Sequence, residues 1–320
     1  MACVHGAGLI AGVASVYDYD ILIGAATMLV LIIGPLLLGV QGFKVARREP
    51  FVATPAPSPW NWRLTIASAL LYALAFNLIF FVQELFLVLP KALTPGLRPT
   101  LFHNNHSWEG DNPLASLFQG AGALATFATG LLCAFLLKRR DYRPSMARLL
   151  LIWMAYNGFL QSLLQVVVGS VESQNDVGMA MDYLRLGAPV KAAAALVALI
   201  AIAATALWLR RPLLNLAEHA EQIASARTRA AFMFRTATLP ALTAVLLIIP
   251  FRVPRNWVEV VAVPVVVTMV GIAWLQAGAW AVEKATAAGA LASKSMAYAF
   301  TALLILLLVF QFVLRPGIRF

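Results

Sequence analysis

Apolar residues run through this chain in blocks long enough to cross a lipid bilayer, separated by short stretches where charge and proline gather. A hydrocarbon core of about 30 Å takes roughly 20 residues as helix. Eight blocks meet or approach that length: 21–43, 64–89, 114–137, 148–171, 188–209, 237–250, 257–280 and 298–314. None alternates polar and apolar residues with period two, as a strand of a membrane barrel does. The pattern predicts an all-α transmembrane helical bundle of about eight spans, a single integral membrane domain over residues 1–320. The sixth block is short, and Pro250 and Pro254 bracket its end. A tight helical hairpin with the seventh block is therefore an alternative to a full crossing.

Two connections carry patterns of their own. Leu213, Leu216, Ala220, Ile223 and Ala224 recur at helical spacing, with Glu218, His219, Glu221 and Gln222 between them, which predicts an amphipathic cytoplasmic helix over 212–232. Residues 49–60 hold Pro50, Pro55, Pro57 and Pro59 and predict a stiff loop. Within the third block, Gly122, Thr126 and Gly130 fall at i, i+4 and i+8, as do Ala121, Ala125 and Thr129. Small residues at that spacing let helix backbones approach closely, so the third span is expected to be central.

Composition closes off the water-soluble alternative. The 320 residues are 61% hydrophobic and 12% charged, with a mean hydropathy of +0.82, whereas soluble domains carry about 25% charged residues. The net charge of +10 comes without any stretch interleaving Lys or Arg with aromatics, so nucleic acid is rejected as a partner and the lipid bilayer is the expected one. With the N-terminus outside, 16 of the 24 Lys and Arg fall in the inner loops. By the positive-inside rule both termini are then extracytoplasmic, in a plasma (inner) membrane. Cys3 and Cys133 form no disulfide framework.

The candidate chemistry lies toward the outer face. Ionisable groups inside spans are rare and usually face the bundle interior. Glu84, near the outer end of the second span, is one, with Asn77 seven residues earlier. Asn157, Gln161 and Gln165 make a polar stripe on the fourth span. Parallel spans place Gln165 at the depth of Glu84 and Gln161 near Asn77, predicting a polar seam. In the outer loop 101–113, His103 and His106 stand three apart beside Glu109 and Asp111. Two imidazoles at that spacing can converge on zinc with a carboxylate such as Asp111, and Glu84 can serve as third ligand or general base. The next outer loop, 172–178, places Asp176 beside the same two helices, where it either contributes a ligand or caps a helix. No HExxH, GxSxG, Walker or CxxC motif is present, and no histidine sits within a span, so haem is not expected.

The order of elements over 80–186 resembles the site-2-protease-like intramembrane metallopeptidases. Gln83-Glu84-Leu85-Phe86-Leu87 stands where that family carries HExxH, and Gly120-Ala121-Gly122 and Asn175-Asp176 stand at its later landmarks. The resemblance covers about a third of the chain. It implies a membrane bundle with Glu84 at the catalytic position, and with Gln83 and Leu87 in place of both histidines the family's zinc site is lost. The reading that follows is a divergent, non-catalytic binding or regulatory scaffold with a polar extracytoplasmic-facing pocket, engaging a membrane-protein partner. A metal-dependent hydrolase using His103, His106 and Glu84, and a small-solute or lipid transporter using the Asn77–Glu84–Gln165 seam, are the alternatives.

Overall fold

The computed structural model describes residues 18–49, 60–139, 146–252, 257–287 and 295–320. Eight helices are long and apolar enough to span: α1 (Asp18–Arg48), α2 (Trp62–Ala92), α3 (Leu114–Arg139), α4 (Met146–Val171), α6 (Ala188–Leu214), α7 (Ala226–Phe251), α8 (Val258–Ala281) and α9 (Met296–Leu314). A ninth and shorter helix, α5 (Asp176–Tyr183), links α4 to α6. The chain is a polytopic, all-α integral membrane protein. Pro50, Pro55, Pro57, Pro59, Pro254 and Cys3 lie outside the described residues.

The bundle is built around α2 and α4. In each, 67% of the most apolar stretch is buried, against 33% in α3 and 11% in α1. The third span is therefore not central. Its small face, Gly122, Thr126 and Gly130, is buried against α2 and α4, while Leu124, Leu131 and Leu132 are exposed. Small residues identify a close helix contact, but one close face leaves the opposite face to lipid.

Three spans solve the same backbone problem in the same way. A widened, π-helical turn precedes a proline at Leu29–Ile33 and Pro35, at Phe234–Thr238 and Pro240, and at Val258–Ala262 and Pro264. The residue before each proline sends its N–H back five positions: Gly34 to Leu29, Leu239 to Phe234 and Val263 to Val258. The next carbonyl along is left over, because proline has no N–H. An unpaired carbonyl in lipid costs several kcal/mol, and each is taken by a side chain from another segment. Trp274 donates to Val30 at 3.0 Å, Thr65 to Arg235 at 2.9 Å and Arg252 to Glu259 at 2.8 Å. The prolines thereby join α1 to α8, α7 to α2, and the α7–α8 connection to α8.

The connection between α6 and α7 differs from the expected amphipathic helix over 212–232. α6 runs to Leu214, a single 3-10 turn covers Ala220–Ile223, and α7 begins at Ala226 with Ser225 as its cap. Ser225 accepts from the Thr228 N–H, and that cap starts a new helix where the apolar spacing alone reads as continuous. Leu213, Leu216 and Ile223 are buried, as their pattern implies. α7 is consequently 26 residues long, a full crossing rather than half of a tight hairpin.

At the other end lies a small sheet. β1 (Arg98–Leu101) and β2 (His106–Glu109) form an antiparallel hairpin, and β3 (Ile318–Arg319) pairs with the free edge of β1. Gly110 closes the hairpin base with φ +107°, and a Cβ there would stand 1.8 Å from the Gly96 carbonyl oxygen. The C-terminal residues thus hold down a hairpin that caps the bundle.

Candidate functional site

The hairpin brings its side chains over α2 by strand periodicity. Ser107 and Glu109 point outward while His106 and Trp108 point toward the bundle, the alternation expected of a pleated strand. Below them, α2 continues past the apolar core. Its 31 residues make about 46 Å of helix, which carries Glu84 and Lys91 up to the hairpin.

His106 joins the two layers. Its Nδ1 stands 2.9 Å from Glu84 Oε2 and its Nε2 stands 2.9 Å from Gln119 Oε1 on α3. Lys91 Nζ donates to that same Gln119 oxygen at 2.7 Å. Since an ammonium offers only hydrogens, the Gln119 atom is its carbonyl oxygen, and His106 Nε2 must carry a proton to meet it. A further proton lies between Nδ1 and Oε2, and the Glu84–His106 pair is neutral overall whichever atom holds it. The two side chains are only 7% and 4% exposed. Trp108 roofs the pair, stacked 5.8 Å from the His106 ring and 4.4 Å from the Lys91 ammonium.

Charges from three other segments surround this chain of hydrogen bonds. Asp176, the first residue of α5, is half-buried. Burial raises its carboxyl to about 6, with His106 and Lys91 pulling down against Glu84 and Glu259 pushing up. Arg252, just past α7, is 1% exposed. Burial lowers its guanidinium to about 10, with the Glu84 and Glu259 carboxylates opposing, so it stays charged at neutral pH. It lies 4.1 Å over the Phe80 ring. Its Nε is used by the Glu259 carbonyl, but among the described residues Nη1 and Nη2 are buried without a hydrogen-bond partner, as is Glu259 Oε2.

The two histidines of the loop 101–113 do not converge. His103 sits in the hairpin turn, where its Nε2 donates to the Phe251 carbonyl at 2.8 Å and its ring stacks on Phe310 at 4.8 Å. Gln311 donates to the same carbonyl. Together they satisfy the end of α7, where helical carbonyls run out of partners. Burial pushes His103 down to about 4, with Arg252 and Arg315 adding to the shift, so its ring is neutral. Asp111 is exposed. The expected His103–His106–Asp111 zinc set is thus distributed over three environments, and among the described residues no three His, Cys, Asp or Glu side chains gather as metal ligands.

Polar side chains do meet between α2 and α4, but neither expected pairing, Gln165 with Glu84 or Gln161 with Asn77, forms. Gln165 donates to Gln83 at 2.8 Å, and Gln161 reaches the Phe76 carbonyl at 3.4 Å and Asn157 at 3.5 Å. Asn77 bonds back to Ala73 in its own helix. Glu84 does not face Gln165. One residue on, about 100° around the helix, it faces the hairpin instead. Gln83 and Leu87 pack against α3, where a Cβ on Gly122 would stand 2.9 Å and 2.7 Å from them. Asn175 caps α5 by accepting from Val177 N–H.

Lys91, Trp108, Gln119, Arg252 and Glu259 complete the site and were not among the expected residues. Lys91 and Arg252 read in sequence as ordinary loop cations. A usable signal was that each adjoins a proline-marked helix end, Pro90 and Pro250, where a chain turns back over the bundle.

The Asp176 carboxyl has a measurable consequence. The unfolded chain releases this proton near 3.8 and the fold holds it to about 6. Between those values the folded state binds more protons, so this group's contribution is present at low pH and lost as pH rises through about 6. Asp176→Asn is expected to remove that loss and to melt above wild type at neutral pH. Melting curves from acid to neutral that keep the wild-type slope in the variant would contradict it.

The fold and the site define a polytopic α-helical membrane protein with a buried ionic cluster under a β-hairpin cap. No family model, curated protein or solved structure matches the chain.

Proposed function

We propose that the chain is a binding or regulatory scaffold of the plasma (inner) membrane, divergent from the site-2-protease-like metallopeptidases, that receives an anionic group at Arg252. In this reading the hairpin end and both termini are extracytoplasmic. The observation that carries it is the Arg252 guanidinium: buried, charged, and with both terminal nitrogens lacking a hydrogen-bond partner among the described residues, beside the Glu84–His106 pair. A guanidinium fork matches a carboxylate or phosphate with two parallel hydrogen bonds. Two further features favour binding over hydrolysis. Glu84 is engaged by His106 rather than held toward an open position. Gln83 and Leu87, at the positions of the family's histidines, are occupied in helix packing. A membrane-protein partner presenting a carboxylate, or a small anion, fits this chemistry.

The test is thermal unfolding of the full chain in phosphatidylcholine nanodiscs with succinate or with inorganic phosphate. A ligand at a hundredfold excess over its Kd stabilises by about 2.7 kcal/mol, so one of the two anions is expected to raise Tm by several degrees. Arg252→Lys, which keeps the charge but loses the fork, is expected to abolish the rise. Failure of both anions, or an undiminished rise in the variant, overturns the reading. So does a stoichiometric zinc that disappears in a His103→Ala/His106→Ala double variant, which would select the metal-dependent hydrolase. The seam from Gln83 through Gln165 to Asn157 favours transport as a second reading. Solute uptake into proteoliposomes that fails in Gln165→Leu would select it.

A further inference from the structure

Gln119 holds the ionic cluster together through its oxygen, and its nitrogen is left with a poor partner. The Oε1 atom accepts from both Lys91 and His106. The Nε2 atom carries two hydrogens, and its one acceptor among the described residues is the Met179 sulfur on α5, at 3.9 Å. Gln119 is 3% exposed, so solvent does not make up the difference. A thioether is a weak acceptor, and a buried amide donor without a good acceptor costs stability. The Met179 sulfur therefore stands where an oxygen acceptor would bind the amide more strongly.

Met179 is also placed where an oxidant reaches it. α5 is not one of the spans, and Met179 is half-buried, three residues after the half-buried Asp176 and so on the same helix face. Val177, Ala180 and Met181 on the same helix are buried. The Asp176–Met179 face is thus where the cluster beneath the hairpin approaches the surface. We infer that Met179 is a site of reversible oxidation by peroxide, its sulfoxide oxygen accepting a hydrogen bond from Gln119 Nε2. In that step a sulfur lone pair attacks one peroxide oxygen and the O–O bond breaks. The departing hydroxide takes the proton of the transferred oxygen and leaves as water. Sulfur is oxidised by two electrons and the peroxide reduced by two, and sulfoxide reductases reverse the change. A sulfoxide usually disrupts a packed site, but here the new oxygen meets a waiting donor and the expected effect has the opposite sign. Held at its nitrogen, Gln119 keeps its oxygen on His106 and Lys91, and with them the hairpin in place. The inference does not depend on the ligand proposed at Arg252.

Hydrogen peroxide treatment of the full-length protein in phosphatidylcholine nanodiscs tests it, read by peptide mapping and by thermal unfolding. The Met179 sulfoxide is expected to form ahead of that of Met181, the buried methionine two residues on. Protein oxidised at Met179 is expected to melt about 2 °C above the reduced form, the shift that one net hydrogen bond gives. Methionine sulfoxide reductases are expected to return it to the starting value. Met179→Leu keeps the volume and cannot take the oxygen, so the rise is expected to vanish, and any peroxide effect at other methionines appears there alone. Met179→Gln, which supplies an amide oxygen without peroxide, is expected to melt above Met179→Leu. Oxidation of Met179 no faster than of Met181 overturns the inference. So does an unchanged or lowered melting temperature on oxidation, or a rise of the same size in Met179→Leu.

Discussion

His106→Ala is expected to lower the unfolding free energy by about 3–5 kcal/mol, the usual consequence of removing one partner from a buried ionic pair. The histidine links Glu84 on α2 to the hairpin strand, and it also fills the second acceptor position of Gln119. Its loss takes the hydrogen-bonded partner from a carboxylate that is 4% exposed and leaves only the Lys91 and Arg252 positive charges near it. Glu84→Gln is expected to cost much less, about 1 kcal/mol, because an amide can still accept from or donate to the imidazole. The order of the two variants is the informative result. Equilibrium unfolding in a single detergent measures both, and a double-mutant cycle isolates the coupling. If His106→Ala unfolds at the wild-type midpoint, the pair does not hold the cap to the bundle.

Gly158→Val is expected to abolish the folded bundle or to cost about 3 kcal/mol or more. At this residue α4 crosses α3 with backbone against backbone. A Cβ on Gly158 would stand 2.7 Å from the Cα and N of Gly130 and 2.8 Å from the Thr126 carbonyl oxygen. Overpacking typically costs about 1–3 kcal/mol where side chains can shift, but here the obstruction is main chain and cannot swing away. Gly24→Ala is the control, since nothing lies within 4 Å of the added carbon. There, the better helix propensity of alanine is expected to stabilise by up to about 1 kcal/mol. A comparison of folded yield and melting temperature in detergent decides between the two outcomes. Similar behaviour of both variants would mean that the α3–α4 crossing tolerates separation.

The cap and its ionic cluster also suggest why the ends of the bundle are divided in their chemistry. One end gathers acids and bases in near balance beneath a hairpin: Glu84, Asp176 and Glu259 with Lys91, Arg252 and His106. At the other end Lys138, Arg148, Arg210 and Arg211 line an open cleft, and the acids Glu49 and Glu218 are engaged elsewhere, by the Ala226 N–H and the Asn61 amide. A membrane imposes that difference. Its faces meet different potentials and lipids, whereas the hydrocarbon between them admits only satisfied backbone and paired polar groups.

The existence and number of the spans were legible in the linear pattern, because a bilayer demands a continuous apolar run of fixed length and no tertiary contact can substitute for it. The seam between α2 and α4 was legible for a similar reason, since polar residues repeating at helical spacing on parallel helices meet at matched depth. The span ends were less visible. α7 starts at Ala226 rather than near 237 because its first turns, with Arg227, Arg229 and Arg235, are polar yet helical, capped by Ser225. What only the tertiary structure decided is which way neighbouring side chains turn and what they meet. Gln83 and Glu84 are adjacent in sequence and face different helices. His103 and His106 are three apart, yet a hairpin turn sends one to the end of α7 and the other to Glu84. Spacing along a chain predicts proximity only while the backbone keeps one period, and here a strand, a turn and two helices meet within a few residues. The carbonyls released by Pro35, Pro240 and Pro264 follow the same division. Their need for a donor is written locally by proline, but Trp274, Thr65 and Arg252 answer it across the bundle.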